Sequence, residues 1–472
     1  MTYWERIFNK LKILRSNHIY FTFMNTNNTD NKLTTEPIPR LLKIIALPAM
    51  VGFFFNTMYN VVDTWVAGQI SDEALAALSL TFPVFFIIIA VAMGIGTGVT
   101  ALIANELGAD RTQKAQHYTS QAILFGLIIS IALTIIGYIT SPTLFKLLGA
   151  EDTYLASALL YMQTIFLGSI FLSMASILNG ILNAVGDTKS YRNVLVVGFF
   201  INLILSPMLA LGWLGLPALG VLGIAIATII SNFLGFIYLS HKVWQTNLVD
   251  TSNIFIPNKK SFIDIAIQGL PASFSMMTIA LGAFIITYFV SQYGKEAVAG
   301  YGTALRIEQI ALIPAIGINI AVLTLIGQNN GAQRFDRVKE TIRYGLKYIL
   351  LINTISALFI LFGAHYLLKI FTNAPEIIAF GAEYLTIAAL ISWAYGIIFV
   401  TESVLRGLKR PIFPMMIGIM RQLILPLPIF YLVTFTFTLG IMGLWWSIFA
   451  IVWLSAIISL LYTYSILKKT NN

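Results

Sequence analysis

A chain of 472 residues with 58% hydrophobic and only 10% charged residues is far more apolar than a soluble domain, where ~25% of residues are charged. That balance excludes an ordinary cytosolic enzyme, a nucleic-acid-binding module and a disordered chain. With zero Cys there is no disulfide framework, no thiolate nucleophile and no Cys-ligated metal.

The chain opens on a polar, basic extension, 1–37. Within it Trp4, Ile7, Phe8, Leu11 and Leu14 fall at helical spacing among Arg6, Lys10, Lys12 and Arg15. That pattern suits a basic surface helix on anionic lipid; a true start at Met24 is the competing expectation. No signal-peptide pattern precedes the first span. Twelve apolar segments follow, at about 41–68, 76–104, 119–141, 155–180, 194–213, 218–240, 263–291, 299–327, 343–366, 379–404, 412–435 and 440–467. A membrane-spanning helix needs roughly 20 apolar residues, and most of these segments are longer. Backbone in lipid must satisfy its own hydrogen bonds, as helix or closed barrel. Barrel strands are ~10-residue alternating stretches, whereas these are long and continuous. The predicted fold is all-α and integral to the membrane. Six helices lie in 38–241 and six in 262–467, joined by a linker over 242–261 and followed by a tail over 468–472.

The net charge of +9 reports topology. Seven Lys/Arg precede residue 44. The breaks after segments 2, 4, 6, 8 and 10 carry Arg111, Lys114, Lys189, Arg192, Lys242, Lys259, Lys260, Arg334, Arg337, Lys339, Arg343, Arg406, Lys409 and Arg410. The odd-numbered breaks hold only Lys146, Lys295 and Lys369. Positive residues favour the cytoplasmic side, so both termini are expected there, and a nucleic-acid partner is the poorer explanation.

The halves repeat. At an offset of 223, Glu73–Ala76 aligns with Glu296–Ala299, Gly94 with Gly317, Gly108-Ala109 and Arg111 with Gly331-Ala332 and Arg334, and Tyr161 with Tyr384. Gly220 and Gly223 match Gly440 and Gly443 at an offset of 220. Six spans per unit is an even number, so both units enter the membrane the same way. Their symmetry axis should run along the membrane normal, beside a central cleft. No carbonyl filter sequence or phosphate-cradling loop is present. His18, His117, His241 and His365 are scattered, which argues against a metal-hydrolase centre. These features describe a secondary transporter driven by an ion gradient, not an enzyme.

Several motifs then carry a resemblance. Pro48 with Tyr59-Asn60-Val61-Val62-Asp63-Thr64 and Gly68, Gly94-Ile95-Gly96 with Leu107-Gly108-Ala109, Leu182-Asn183-Ala184 with Gly186-Asp187-Thr188, and Leu405-Arg406-Gly407 together resemble the multidrug and toxic compound extrusion (MATE) family over about residues 38–467. Leu107–Arg111 is a weaker match to a loop motif of the major facilitator superfamily, whose second Gly and basic pair are missing. The MATE resemblance implies export of amphipathic, often cationic compounds across the cytoplasmic (inner) membrane, by alternating access and in exchange for protons or sodium. The alternative is a lipid or lipid-linked oligosaccharide flippase of related architecture. No cofactor, nucleic acid or obligate protein partner is expected beyond the cargo and membrane lipid.

Asp63 is the deepest acid of the first half, with Asn56 and Tyr59 on its helical face. A carboxylate at membrane depth is costly and marks an ion pathway; the competing role is a structural brace. Asn202 and Ser206 lie four apart on span 5, before Pro207, and equally suit interhelical hydrogen bonds. The resemblance implies an ion site of Asp63, Asn202 and Thr228, with Ser206 standing where the family carries a second Asp. That departure removes a negative charge. Hard cations prefer oxygen ligands with charge compensation, so a proton is favoured over sodium bound at Asp63 and Asn202. Pro48 is the expected bending point of helix 1. Arg306, Glu308 and Gln309, with Met276, Met277 and Tyr395, are candidates for the substrate cleft. Residues 306 and 309 share a face and 308 does not; Glu308 meets cargo or pairs with Arg306 or Arg421. Glu402 is expected to pair with Arg406 at (i, i+4).

Overall fold

The structure is a computed structural model that describes residues 31–147, 152–250 and 254–469. The expected surface helix of residues 4–15, the alternative start at Met24 and the last three residues of the tail lie outside the described residues. Twelve helices are long and apolar enough to cross a membrane. In the amino half these are α1 (Ile38–Ile70), α2 (Asp72–Gly108), α3 (Thr112–Lys146), α4 (Tyr154–Ala184), α5 (Lys189–Leu211) and α6 (Val221–Trp244). The carboxy half holds α7 (Lys259–Tyr293), α8 (Lys295–Gly331), α9 (Phe335–Lys369), α10 (Pro375–Gly407), α11 (Ile412–Thr436) and α12 (Gly440–Lys469). No strand occurs among the described residues.

Helix ends are set by polar chemistry that hydropathy does not see. Ser71 caps α2 by accepting from the Ala74 N–H, and Asn258 caps α7 by accepting from the Ser261 N–H; each satisfies an otherwise orphaned donor. The second cap starts α7 at Lys259, so the connection between the halves is shorter than the 242–261 linker read from composition. Helix α1 runs without a break through the buried Pro48. Helix α11 is the irregular element. Two π-turns, Met420–Ile424 and Leu432–Thr436, flank the segment that opens on Pro426. Proline lacks the N–H that the α-helical ladder needs.

The halves are interleaved. The first turns of α1 (Ile38, Leu41, Leu42, Ile45) share a core with α8, α9 and α10 of the opposite half, including Ile318, Val322, Ile349 and Val400. The far end of α1 (Val62, Val66) packs in its own half with Ile88, Met162 and Ile224. Helix α7 mirrors this arrangement: Ile265 joins the amino-half core of Ile95, Leu102, Ile177 and Leu239, whereas Phe289 and Val290 lie in the carboxy-half core with Tyr301, Tyr384 and Trp445.

One end of the interface between the halves is zipped by a pseudo-symmetric seam. The Asn105 amide donates to the Gly407 carbonyl at 2.9 Å, and the Gln328 amide donates to the Ala184 carbonyl at 2.8 Å. Asn105 corresponds to Gln328, and Ala184 to Gly407, at the 223-residue offset. Small residues make the approach possible: a Cβ on Gly108 would collide with the Gln328 backbone, and one on Gly331 with the Asn105 backbone. Buried Glu106 joins Arg111 of its own half (2.6 Å) to Lys409 of the other (3.3 Å). The short helix Lys32–Thr35 lies across the same end. There Asn31 donates to Gln328 (2.7 Å), Arg334 to the Thr34 carbonyl (2.7 Å) and Arg337 to the Glu36 carbonyl (2.6 Å).

Candidate ion-coupling site

Asp63 sits in the far half of α1, 8% exposed. Three donors from two other helices converge on it. Asn202 Nδ2 and Ser206 Oγ, one turn apart on α5, donate to Oδ1 at 2.9 and 3.2 Å. Thr228 Oγ1 of α6 donates to Oδ2 at 3.4 Å. Asn202 and Ser206 are fully buried and Thr228 nearly so. The four-residue spacing on α5 points both side chains at one oxygen.

The set is unsaturated. Asn202 Oδ1 and the Tyr59 hydroxyl are buried without a hydrogen bond of good geometry, although Tyr59 lies beside Thr228, Ser231 and Asn202. These oxygens and the two of Asp63 are where an arriving proton or cation would find acceptors. No Lys or Arg pairs with Asp63 among the described residues. No group of three or more His, Asp or Glu suited to a metal ion occurs among them either. Asn202 presents its NH2 to the carboxyl, and the hydroxyls of Ser206 and Thr228 donate to it as well.

The structure thus brings Asp63, Asn202, Ser206 and Thr228 together and places Tyr59 at their edge. It does not bring in Asn56, which is exposed and whose carbonyl accepts only from Asn60 on its own helix; two further turns of α1 carry it out of reach. Ser231 and Tyr161 adjoin the site and were not foreseen there. Ser231 follows Thr228 by three residues on α6, and Tyr161 is the repeat counterpart of Tyr384.

The carboxy half departs from expectation. Glu308 is 7% exposed and accepts from the Tyr384 hydroxyl at 2.7 Å. It pairs with neither Arg306 nor Arg421 among the described ion pairs. Its place on the buried flank of α8 explains this: Arg306 and Gln309 share the exposed flank. Tyr384 also meets Tyr301 edge-on at 4.9 Å, and Trp445 stacks on Tyr301 at 5.7 Å. Met276 and Met277 are half-buried on α7. Tyr395 lies under the Arg421 guanidinium, 5.4 Å from its ring centroid. Glu402 and Arg406 do pair, at 2.9 Å, and Arg406 also reaches Ser275 of α7 at 3.3 Å.

The MatE family profile matches residues 48–208 and 271–432, about two thirds of the chain and both repeats. The protein named "FAD transporter" of Shewanella oneidensis is 28% identical over 403 residues, covering 84% of this chain and 88% of the relative. "Multidrug export protein MepA" of Staphylococcus aureus is 25% identical over 434 residues, 91% of this chain and 94% of its own. A solved MOP-superfamily transporter from Pyrococcus furiosus superposes with a TM-score of 0.88 at 24% identity, over 93% of this chain and 98% of that one. With twelve membrane helices in two repeats and a family match across both, this chain belongs to the MatE family of multidrug and toxic compound extrusion transporters.

Proposed function

We propose that the protein is a cation-coupled antiporter of the cytoplasmic (inner) membrane, with its basic seam end facing the cytoplasm. It exchanges an inward-moving proton, in preference to sodium, for an outward-moving amphipathic compound. The observation that carries this reading is the Asp63 cluster: a buried, unpaired carboxyl between three neutral donors. Burial favours the neutral form of a carboxyl, and donors favour the charged form. Such a balance lets proton arrival from one side, and loss to the other, accompany a change in how α5 and α6 hold α1. Cargo and ion then act as alternative stabilisers of two arrangements of the same bundle.

The energetics suffice. One charge crossing 100 mV releases ~2.3 kcal/mol, and a tenfold concentration ratio requires ~1.4 kcal/mol. One ion per cargo therefore supports roughly fiftyfold extrusion of a neutral compound. The S. aureus relative is named a multidrug export protein, which supports amphipathic, often cationic cargo. The S. oneidensis relative, named for FAD, supports adding aromatic anions to the candidate cargoes.

Efflux of a fluorescent dye from everted vesicles, with pH and sodium gradients imposed separately, tests the reading. Asp63→Asn should reduce gradient-driven efflux to the level of vesicles lacking the protein while the protein remains folded in the membrane. Undiminished efflux from that variant overturns the assignment.

A further inference from the structure

The coupling site leaves one deeply placed charge unused. Arg421 lies on α11 within the π-turn Met420–Ile424 and is 6% exposed. Its guanidinium forms no ion pair with any described carboxylate. Its Nε is fully buried and without a hydrogen-bond partner. Its neighbour is Tyr395 on α10, whose ring centroid lies 5.4 Å from the guanidinium and whose hydroxyl is within hydrogen-bonding reach of it. Tyr395 in turn stacks on Phe399 at 5.9 Å. Glu308 of α8 is within electrostatic reach of Tyr395 and already accepts from Tyr384.

A guanidinium cannot shed its charge to suit a low-dielectric site. An unpaired one inside a membrane bundle is therefore costly, and it marks a place where a counter-charge arrives. The local backbone is built to present it. Leu425 N–H bonds back to the Met420 carbonyl at 2.9 Å across a widened turn just before Pro426; π-turns recur at functional sites. The planar fork of Arg matches carboxylate, sulfonate and phosphate oxygens two at a time, and Tyr395 with its stacked Phe399 sets an aromatic edge beside it.

The geometry points to Arg421 and Tyr395 as a recognition site for planar aromatic anions, which the protein carries as cargo. The cargo role rests on the antiport reading; the binding role does not. Fluorescein, an anion, and rhodamine 123, a cation on the same xanthene ring, separate charge from shape. Their affinities are measured by fluorescence anisotropy on the purified full chain in nanodiscs of zwitterionic lipid, with no gradient present. Arg421→Gln should weaken fluorescein about tenfold or more, the scale of a lost charge-assisted hydrogen bond, and change rhodamine 123 less than twofold. If that variant does not fold, Arg421→Lys carries the test. It keeps the charge and loses the fork, so fluorescein should weaken severalfold with rhodamine 123 binding intact. Unchanged fluorescein affinity overturns the proposal, and so does equal loss of both dyes. Asp63→Asn should change both dye affinities by the same factor, leaving their ratio intact, while losing gradient-driven efflux, so a failure of coupling and a failure of this site give different results.

Discussion

Ser206 is the residue on which the choice of ion turns. It supplies a neutral donor at 3.2 Å to Asp63, at the position where the resembled pattern expects a second carboxylate. Replacing it by Asp would place two carboxylates on one buried site. Like charges at that range cannot both persist unless a cation sits between them. Ser206→Asp should therefore gain efflux driven by a sodium gradient at constant pH, at least severalfold over the wild type, measured in the same everted vesicles. No gain would show that ligand number, not charge, decides. Helical spacing put Asn202 and Ser206 on one face and composition marked Asp63 as the deepest acid of its half, but only the family resemblance joined Asp63, Asn202 and Thr228 into one set. The pairing of Glu308 with Tyr384, 76 positions away, was not legible, because helix-to-helix register leaves no mark in local sequence. Asn56 was misplaced for a related reason. Sharing a helical face with Asp63 says nothing about how far along that face the partner helices extend.

Among the elements, α2 and α8 carry the seam between the halves. Their ends meet through Gly108 and Gly331, where the opposing backbone occupies the space a side chain would need, and the repeat-related Asn105 and Gln328 bonds close over them. Both glycines stood out early as repeat partners. Their job did not, since close approach is a property of two segments and hydropathy is a property of one. Gly108→Val should disfavour the zipped arrangement. Overpacking of this kind costs ~1–3 kcal/mol, which shifts an equilibrium between open and closed seams by roughly five- to a hundredfold. The chain has no cysteine, so a single introduced thiol on the seam reports its opening. Asn330 donates to Asn105 Oδ1 across the seam at 2.7 Å, and maleimide labelling at Asn330→Cys should rise in the Gly108→Val background as dye efflux falls. A seam that labels equally in both backgrounds would show that the contact is not part of the opening motion. Helix ends and the two π-turns of α11 illustrate the same limit: hydropathy located all twelve helices, but capping by Ser71 and Asn258 and the prolines of α11 set where each begins or deforms.

The whole molecule is two repeats that exchange the first half of their first helix. The duplication and the helix count could be read from the repeat offset and the apolar segments. The exchange could not, because α1 and α7 are apolar throughout and suit either core. Its consequence for the proposed antiport is that α1 links the Asp63 site on its far part to the seam end at its near part. This coupling makes charge movement a property of the full cycle, and the cycle can be interrogated by voltage. For one inward proton against one outward cargo of charge z, the net inward movement is 1 − z charges. A monovalent cation is then exchanged electroneutrally and responds only to the pH gradient. A neutral compound adds one charge, and a monovalent anion adds two. At 100 mV those last two cases correspond to roughly fiftyfold and two-thousandfold limits of accumulation. An imposed potassium diffusion potential at equal pH should therefore drive anionic aromatic cargo most strongly, neutral cargo less and monovalent cationic cargo hardly at all. The measurement is steady-state dye accumulation against potential in proteoliposomes. Equal voltage dependence for cationic and anionic cargo would mean that the ion count changes with the cargo, and a single fixed stoichiometry at Asp63 would then be untenable.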